Sequence, residues 1–362
     1  MTEEGAGRTP PEPDQAVPDP AEPDPAVPAA SAISPAASDV SPPEVAVHAA
    51  ERLALGRTPG VRSDDPWVEA GRKILRFHLA KMLARVPGVI AGEDPEEVHA
   101  MRVAARRMRA AWRVFGDGFE RDQVRRYRAE LRDIGARLGA VRDLDVLIEI
   151  LVAYGDHGSH RRRVGMEPLL AAWRAEREAR RIELLGAIES ERFVDFVRDY
   201  EAFAETPGLA AIVIPPHSPA LVRNRMPATI WDAYQAVWAF DGDLHTADLA
   251  TLHQLRIAGK WLRYTLEFVR EPLEPAATAL IRPVVALQDH LGNQHDLHVA
   301  GLLAREFATA ATLTDQQARS VAAFVDHLDQ GVVRLGKRFG PTWRPIAASD
   351  YRRGLGRAIA RL

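Results

Sequence analysis

The chain has 362 residues, 46% of them hydrophobic and 27% charged, and no cysteine. This is the composition of a globular protein, and it excludes disulfides, thiolate nucleophiles and cysteine-bound zinc. The net charge of −3 is unevenly spread: residues 1 to 50 carry nine acids and one base, a sum of −8, and subtracting that from −3 leaves +5 on residues 51 to 362.

The N-terminus, MTEEGAG, lacks the basic and apolar regions of a signal peptide. No apolar run reaches the ~18 residues of a membrane helix, so a cytoplasmic protein without membrane contact is expected. Residues 1 to 62, with eleven prolines in the first fifty, are too poor in apolar side chains to offset their ordering entropy and read as a disordered tail. From Pro66 the pattern turns helical, and WVEAGRKILRFHLAKMLARV places Leu75, Leu79, Leu83 and Val86 on one face.

After a short break, Asp94, Pro95 and Glu97 supply an N-cap, a first-turn proline and the far member of a capping box. The segment from Val98 to Gly116 then holds His99, five arginines and no acid. At about 100° per residue, His99, Arg102, Arg106, Arg109 and Arg113 fall within about 80°, with Met101, Ala105, Met108, Trp112 and Phe115 opposite. Like charges three or four residues apart cost roughly 0.2–0.5 kcal/mol per pair in an isolated helix. An anion is therefore expected against this face. Gly116 marks the stop.

Further helices are expected from about Asp122 to Leu151, containing RLGAVRDLDV, and from Glu167 to Phe203. In the latter, Arg174, Arg177 and Arg181 share a face with Leu170, Leu184 and Ile188, the pattern of a core interrupted by a cavity. Residues 206 to 228, with five prolines, read as a connection.

The second half repeats the first. DLATLHQLRIAGKWLRYTLEFV aligns with DPEEVHAMRVAARRMRAAWRVF, so that Asp94, His99, Arg102, Arg106 and Arg109 meet Asp248, His253, Arg256, Lys260 and Arg263. HLGNQHDLHV likewise aligns with RLGAVRDLDV and brings Leu138, Gly139 and Asp143 onto Leu291, Gly292 and Asp296. The segment from Thr251 to Leu266 is again free of acids. The expected architecture is all-α: two helical bundles, residues 63–205 and 206–362, each presenting one basic stripe. Duplication suggests pseudo-twofold symmetry by analogy with paired identical subunits, with the stripes facing each other.

The doubled His-x-x-Arg-x-x-x-(Arg/Lys)-x-x-Arg helix, each copy followed by Leu-Gly-x-x-x-Asp, resembles the conserved histidine α-helical domain, the CHAD family. The resemblance runs from about residue 66 to the C-terminus. It implies two four-helix bundles about a pseudo-twofold axis, binding of inorganic polyphosphate in a basic central cavity, and association with polyphosphate granules. By motif it implicates His99, Arg102, Arg106, Arg109, His253, Arg256, Lys260 and Arg263, with Arg142 of the Arg-Asp pair; His295 replaces that arginine in the second copy. Arg107, Arg113, Arg174, Arg177 and Arg181 are further candidates by helical face.

The chemistry agrees with that implication. Guanidinium groups stay charged and take two phosphate oxygens at once, and the stripe from His99 to Arg109 is about 15 Å long at 1.5 Å per residue. The histidines can bind neutral or as cations, so acidification should strengthen binding. Asp143 and Asp296 would orient basic neighbours, and Tyr264 would donate a hydrogen bond or pack. The bland alternative for each stripe is a solvated or internally paired helix face, which the acid-free repetition of the pattern argues against.

No catalytic residue is expected. The chain lacks Gly-x-Ser-x-Gly and Walker A motifs, and its nearest approach to the ExExK of tunnel triphosphatases, Glu176-Arg177-Glu178-Ala179-Arg180, ends in Arg. Phosphate hydrolysis would need carboxylates to hold a metal or activate water, and the stripes exclude them. No cofactor or metal is expected either: His290, His295 and His298 lack HExxH spacing, and the first two stand about 140° apart. His78, His217 and His327 read as packing or surface residues. RNA or single-stranded DNA is the alternative ligand, but the sequence pI near 6.5 is far below the >9 of dedicated modules. Trp112 also points away from the stripe, which leaves it without a stacking platform. A scaffold for an acidic protein is the third reading.

Overall fold

The computed structural model describes residues 41–53, 56–242, 244 and 247–362. The tail expected over residues 1–40 lies outside the described residues, but its expected continuation to residue 62 is corrected by helix α1 (Pro42–Leu53). There Val45, Ala46, Ala49 and Leu53 form a buried apolar stripe. Arg52 also grips Glu201 through two hydrogen bonds of 2.6 and 2.7 Å. Four apolar side chains at helical spacing suffice to dock this proline-flanked segment.

The described residues are otherwise helical, with two isolated antiparallel bridges and no strand. In chain order come α2 (Trp67–Leu83), α3 (Val86–Ala91), α4 (Pro95–Phe115), α5 (Arg121–Asp156), α6 (His160–Ile188) and α7 (Glu191–Glu205). The second half contains α8 (Val222–Trp238), α9 (Leu249–Phe268), α10 (Arg270–Leu273), α11 (Ala277–Ala310), α12 (Asp315–Lys337), α13 (Phe339–Ala347) and α14 (Ser349–Ile359).

The helix expected over 167–203 is two helices. Ser190 breaks it, its side chain accepting from the Phe193 amide and so capping α7. The connection expected to residue 228 ends at Leu221, because α8 carries Pro227 inside it. Asp94 caps α4 through the Glu96 amide at 2.9 Å, but the capping box does not close, because Glu97 binds Arg85 instead. Gly116 keeps right-handed φ and opens a 3-10 turn rather than a left-handed stop. Asp248 caps α9, accepting from the Thr251 amide at 2.7 Å.

Helix starts at 67, 95, 121 and 160 are followed at 222, 249, 277 and 315, differences of 155, 154, 156 and 155. The pairing also recurs: α4 lies on α2 and α5, and α5 on α6, as α9 lies on α8 and α11, and α11 on α12. Among the described residues the halves are joined by α4 with α9, α5 with α11, α2 with α8 and α6 with α12. At the last, Gly165 lets α6 approach so closely that any Cβ there would collide with Ser320.

One apolar core runs through both halves, from α1 to α14. Met101, Ala105, Met108, Trp112 and Phe115 all enter it, each 1% exposed or less. Trp112 packs among Phe119, Tyr127, Tyr200 and Phe203 and donates to the Tyr200 hydroxyl at 2.6 Å. Burying such side chains contributes about 1.5–3 kcal/mol each, which fixes the rotation of α4 and sends its arginines to the opposite side. A second, smaller core of Leu147, Leu151, Met166, Leu169, Trp173, Ala300 and Phe324 joins the far ends of α5, α6, α11 and α12.

Candidate functional site

The two basic stripes sit on α4 and α9, which pack against each other. Their cations share one electrostatic environment. Burial pushes the Lys260 ammonium of α9 down to about 8, helped by Arg106, Arg256, Arg109 and Arg102. Three of those four arginines come from the other stripe. Burial also lowers Arg256, with Arg106 and Arg102 opposing its charge and Asp296 and Asp143 favouring it. Its Nε is buried without a hydrogen-bond partner.

Partners for part of this charge come from the helix following each stripe. Arg102 donates to Asp143 of α5 at 2.8 Å, and Asp143 remains 67% exposed. On α11, burial pushes the Asp296 carboxyl above the usual carboxylate range, while Arg256 pulls it back. Arg142, with a side chain only 12% exposed, pairs with Glu149 at 3.0 Å and Glu96 at 3.8 Å. The stripes carry one acid that sequence reasoning missed. Glu267 on α9, one residue beyond the acid-free segment, accepts from Arg107 at 2.9 Å and Arg263 at 2.8 Å. Arg107 thus ties α4 to α9, while its Nε stays buried and unpartnered.

The histidines lie beside these cations. His99 is lowered by burial first and then by Arg142, Arg106 and Arg102, against Glu96. His253 is lowered by burial, Arg256 and Lys260. His295, the second-half counterpart of Arg142, stands 5.4 Å from the His253 ring and is lowered by burial, Arg256, His253 and His298. A cavity of about 230 Å³ opens here, lined by His253, Arg256, Gln294, His295 and His298 among others. His290 is elsewhere: its Nε2 donates to the Leu335 carbonyl at 3.0 Å, and its ring meets Phe339. Among the described residues no group of three or more His, Asp or Glu side chains has the geometry to hold a metal ion.

Two aromatic residues of α9 flank the stripe of α4. Trp261 lies under Arg113, 3.9 Å from the guanidinium carbon to the ring centre, the distance of a cation–π contact. Tyr264 lies 5.9 Å from Arg106, with its hydroxyl buried and unpartnered. Burial raises that hydroxyl above its ordinary value. Arg109 also belongs to the Lys260 environment.

The arginines of α6 have partners of their own. Arg177 donates to the buried Asp145 at 2.5 Å, and Arg181 holds the Ile90 carbonyl at 2.9 Å and Glu178 at 3.3 Å. Arg174 is exposed. Arg177 and Arg181 thus join α6 to α5 and to the end of α3. Helical face alone does not distinguish an arginine aimed at a ligand from one aimed at a buried carboxylate.

The structure therefore defines an all-α protein in which two packed helices gather arginine, lysine and histidine from opposite halves of the chain. The chain belongs to the CHAD family: the CHAD domain matches residues 73–305. The crystal structure of the CHAD domain from the plant Ricinus communis is similar, with a TM-score of 0.61 and 26% identity over 82% of this chain and 93% of that one. PptA from Streptomyces chartreusis shares the fold at 18% identity, with a TM-score of 0.56 over 77% of this chain and 99% of that one. Among curated proteins, none matches the sequence. Among the described residues no helix is long and apolar enough to cross a membrane.

Proposed function

We propose that this protein binds inorganic polyphosphate, without turning it over, along the facing stripes of α4 and α9. The observation that carries the reading is the packing of α4 on α9, which sets cations of both stripes around one half-buried ammonium, that of Lys260. Like charges gathered this closely oppose folding. A polyanion offsets that opposition and is paid for it in affinity. A linear chain suits the layout because Arg102, Arg106 and Arg109 recur along one helix line, with Arg256, Lys260 and Arg263 opposite.

His99, His253, Arg142 and Arg113 extend the set. Membership in the CHAD family supports the ligand class. The recurrence of helix starts and pairings supports duplication, with two bundles (residues 63–205 and 206–362) related by a pseudo-twofold axis. Absence of turnover is supported by two of the site's carboxylates, Asp143 and Glu267, which are held in ion pairs with arginine. Targeting to polyphosphate granules follows from such binding.

Calorimetric titration with long-chain polyphosphate tests the reading on wild type and on the Arg102→Gln, Arg256→Gln double variant. Contacts between charged groups contribute roughly 1.5–3 kcal/mol each, so the double variant should lose roughly 100-fold or more in affinity. Unchanged affinity in a folded double variant would remove the stripes from the binding site. Steady orthophosphate release by wild type would reject the non-catalytic part.

A further inference from the structure

The basic surface does not end at the stripes. Helix α5 carries Arg121, Arg125, Arg128 and Arg132 in its first three turns, and all four are exposed. At 100° per residue they fall within about 60° of one another, and the same sector holds Gly139 and Asp143 farther along α5. Those two residues already meet the site: Asp143 binds Arg102 at 2.8 Å, and a Cβ on Gly139 would lie 3.6 Å from the Arg102 guanidinium. The four arginines therefore continue the face of α5 that borders the α4 stripe.

The helices stay adjacent to the far end, where a Cβ on Gly116 would touch Val124 at 3.3 Å. There Gly116, Val124 and the four arginines line a shallow cavity of about 320 Å³. Between Arg132 and Gly139 the sector's edges hold only Gly135 and Ala136, and a Cβ on Gly135 would meet nothing within 4 Å. The floor of the groove is open along that stretch.

These arginines are also available. Among the described residues only Arg125 has a carboxylate partner, Asp122, which is itself 88% exposed. Of the other nearby acids, Glu130 and Asp133 point to other sectors and pair with Arg192 and Arg137, Asp117 pairs with Arg225, and Glu120 lies at the N-cap, before the helix begins. The second half has no equivalent, since the aligned positions of α11 and its approach are Glu274, Thr278, Ile281 and Val285.

We infer that Arg121, Arg125, Arg128 and Arg132 form a one-sided extension of the anion site, a track that only a long linear polyphosphate reaches after filling the stripes. From Arg121 to Arg132 the track is about 16 Å long at 1.5 Å per residue. The inference rests on the proposed polyphosphate binding and adds chain-length selectivity and a direction of exit to it.

The test compares wild type with the Arg121→Ala, Arg128→Ala, Arg132→Ala variant, using long-chain polyphosphate and tripolyphosphate at several salt concentrations. Each phosphate contact on a single strand contributes about 0.7 to the slope of log affinity against log salt. The variant should lose tenfold or more in long-chain affinity, with a slope shallower by about 2. Its tripolyphosphate affinity should change less than twofold. A control carrying Arg57→Ala, Arg319→Ala and Arg353→Ala removes the same charge elsewhere on the surface and should bind long chains as wild type does.

Equal losses for both ligands, equal losses in the control, or no loss would each overturn the track while leaving binding at the stripes intact. A wild-type protein that binds neither ligand would overturn both proposals.

Discussion

Replacing Lys260 with methionine keeps the aliphatic stem and deletes the charge. In the free protein that charge is unfavourable, since burial and four arginines bring its pKa from 10.5 to about 8. At about 1.36 kcal/mol per tenfold change the shift corresponds to about 3 kcal/mol. Screening at a half-buried ammonium reduces this to roughly 1–3 kcal/mol. The sign follows from linkage. The folded pKa lies below the unfolded one, so between about pH 8 and 10.5 the unfolded chain holds more protons and stability rises with pH. The penalty is complete below about pH 8 and gone above 10.5. Lys260→Met should therefore be more stable than wild type to urea at pH 7, with the difference closing as pH rises through that window. The same variant should bind polyphosphate more weakly, because the charge that opposes folding is the one that attracts the ligand. A variant less stable than wild type at pH 7, or a difference independent of pH, would refute the claim that the stripes strain each other.

Arg177→Ala strands the buried Asp145 carboxylate, which Arg177 meets at 2.5 Å and which has one oxygen unpartnered. It should cost about 3–5 kcal/mol in denaturation with no change in polyphosphate affinity; a selective loss of affinity would place Arg177 in the site. His99, His253 and His295 are all held below the usual 6.5, by burial first and neighbouring cations next. The unfolded chain then takes up protons before the folded one, so the free protein should lose stability as pH falls through 6.5 and below. A bound polyanion favours the imidazolium forms, so affinity should rise from pH 7.5 to pH 6 in titration and the rise should flatten in His99→Gln, His253→Gln. An affinity that falls on acidification would contradict this placement of the histidines. Trp261→Ala, which removes the face under Arg113, should cost roughly 1 kcal/mol of stability through the lost cation–π contact alone, read by thermal unfolding.

The stripes were legible in the sequence because helical periodicity places every residue of α4 relative to its own apolar face, and Met101, Met108 and Trp112 settle which side is inward. The repeat then supplied the second stripe. What periodicity leaves open is the partner on another helix. Arg177 and Arg102 look alike on a helical wheel, yet one meets buried Asp145 and the other exposed Asp143, a distinction set by how α6 and α4 each dock on α5. Glu267 escaped because it lies just past the acid-free run, although its i,i+4 spacing from Arg263 was readable. Ser190 divides what one apolar period joined, since a cap acts through a single side-chain hydrogen bond that hydrophobic patterning does not register. Helix α1 was hidden by the composition of its neighbourhood, where eleven prolines outweighed one short apolar stripe. The exit track on α5 lacks a counterpart in the second half, so a search by repeat passes over it.

Paired stripes that suit inorganic polyphosphate should prefer it to nucleic acid. Competition measures this directly: labelled long-chain polyphosphate bound to the protein is challenged with single-stranded RNA at equal phosphate concentration and fixed salt. Arginine stripes without an exposed aromatic platform for bases should keep the polyphosphate bound. Displacement by RNA would make nucleic acid the preferred ligand of the stripes and overturn the polyphosphate proposal.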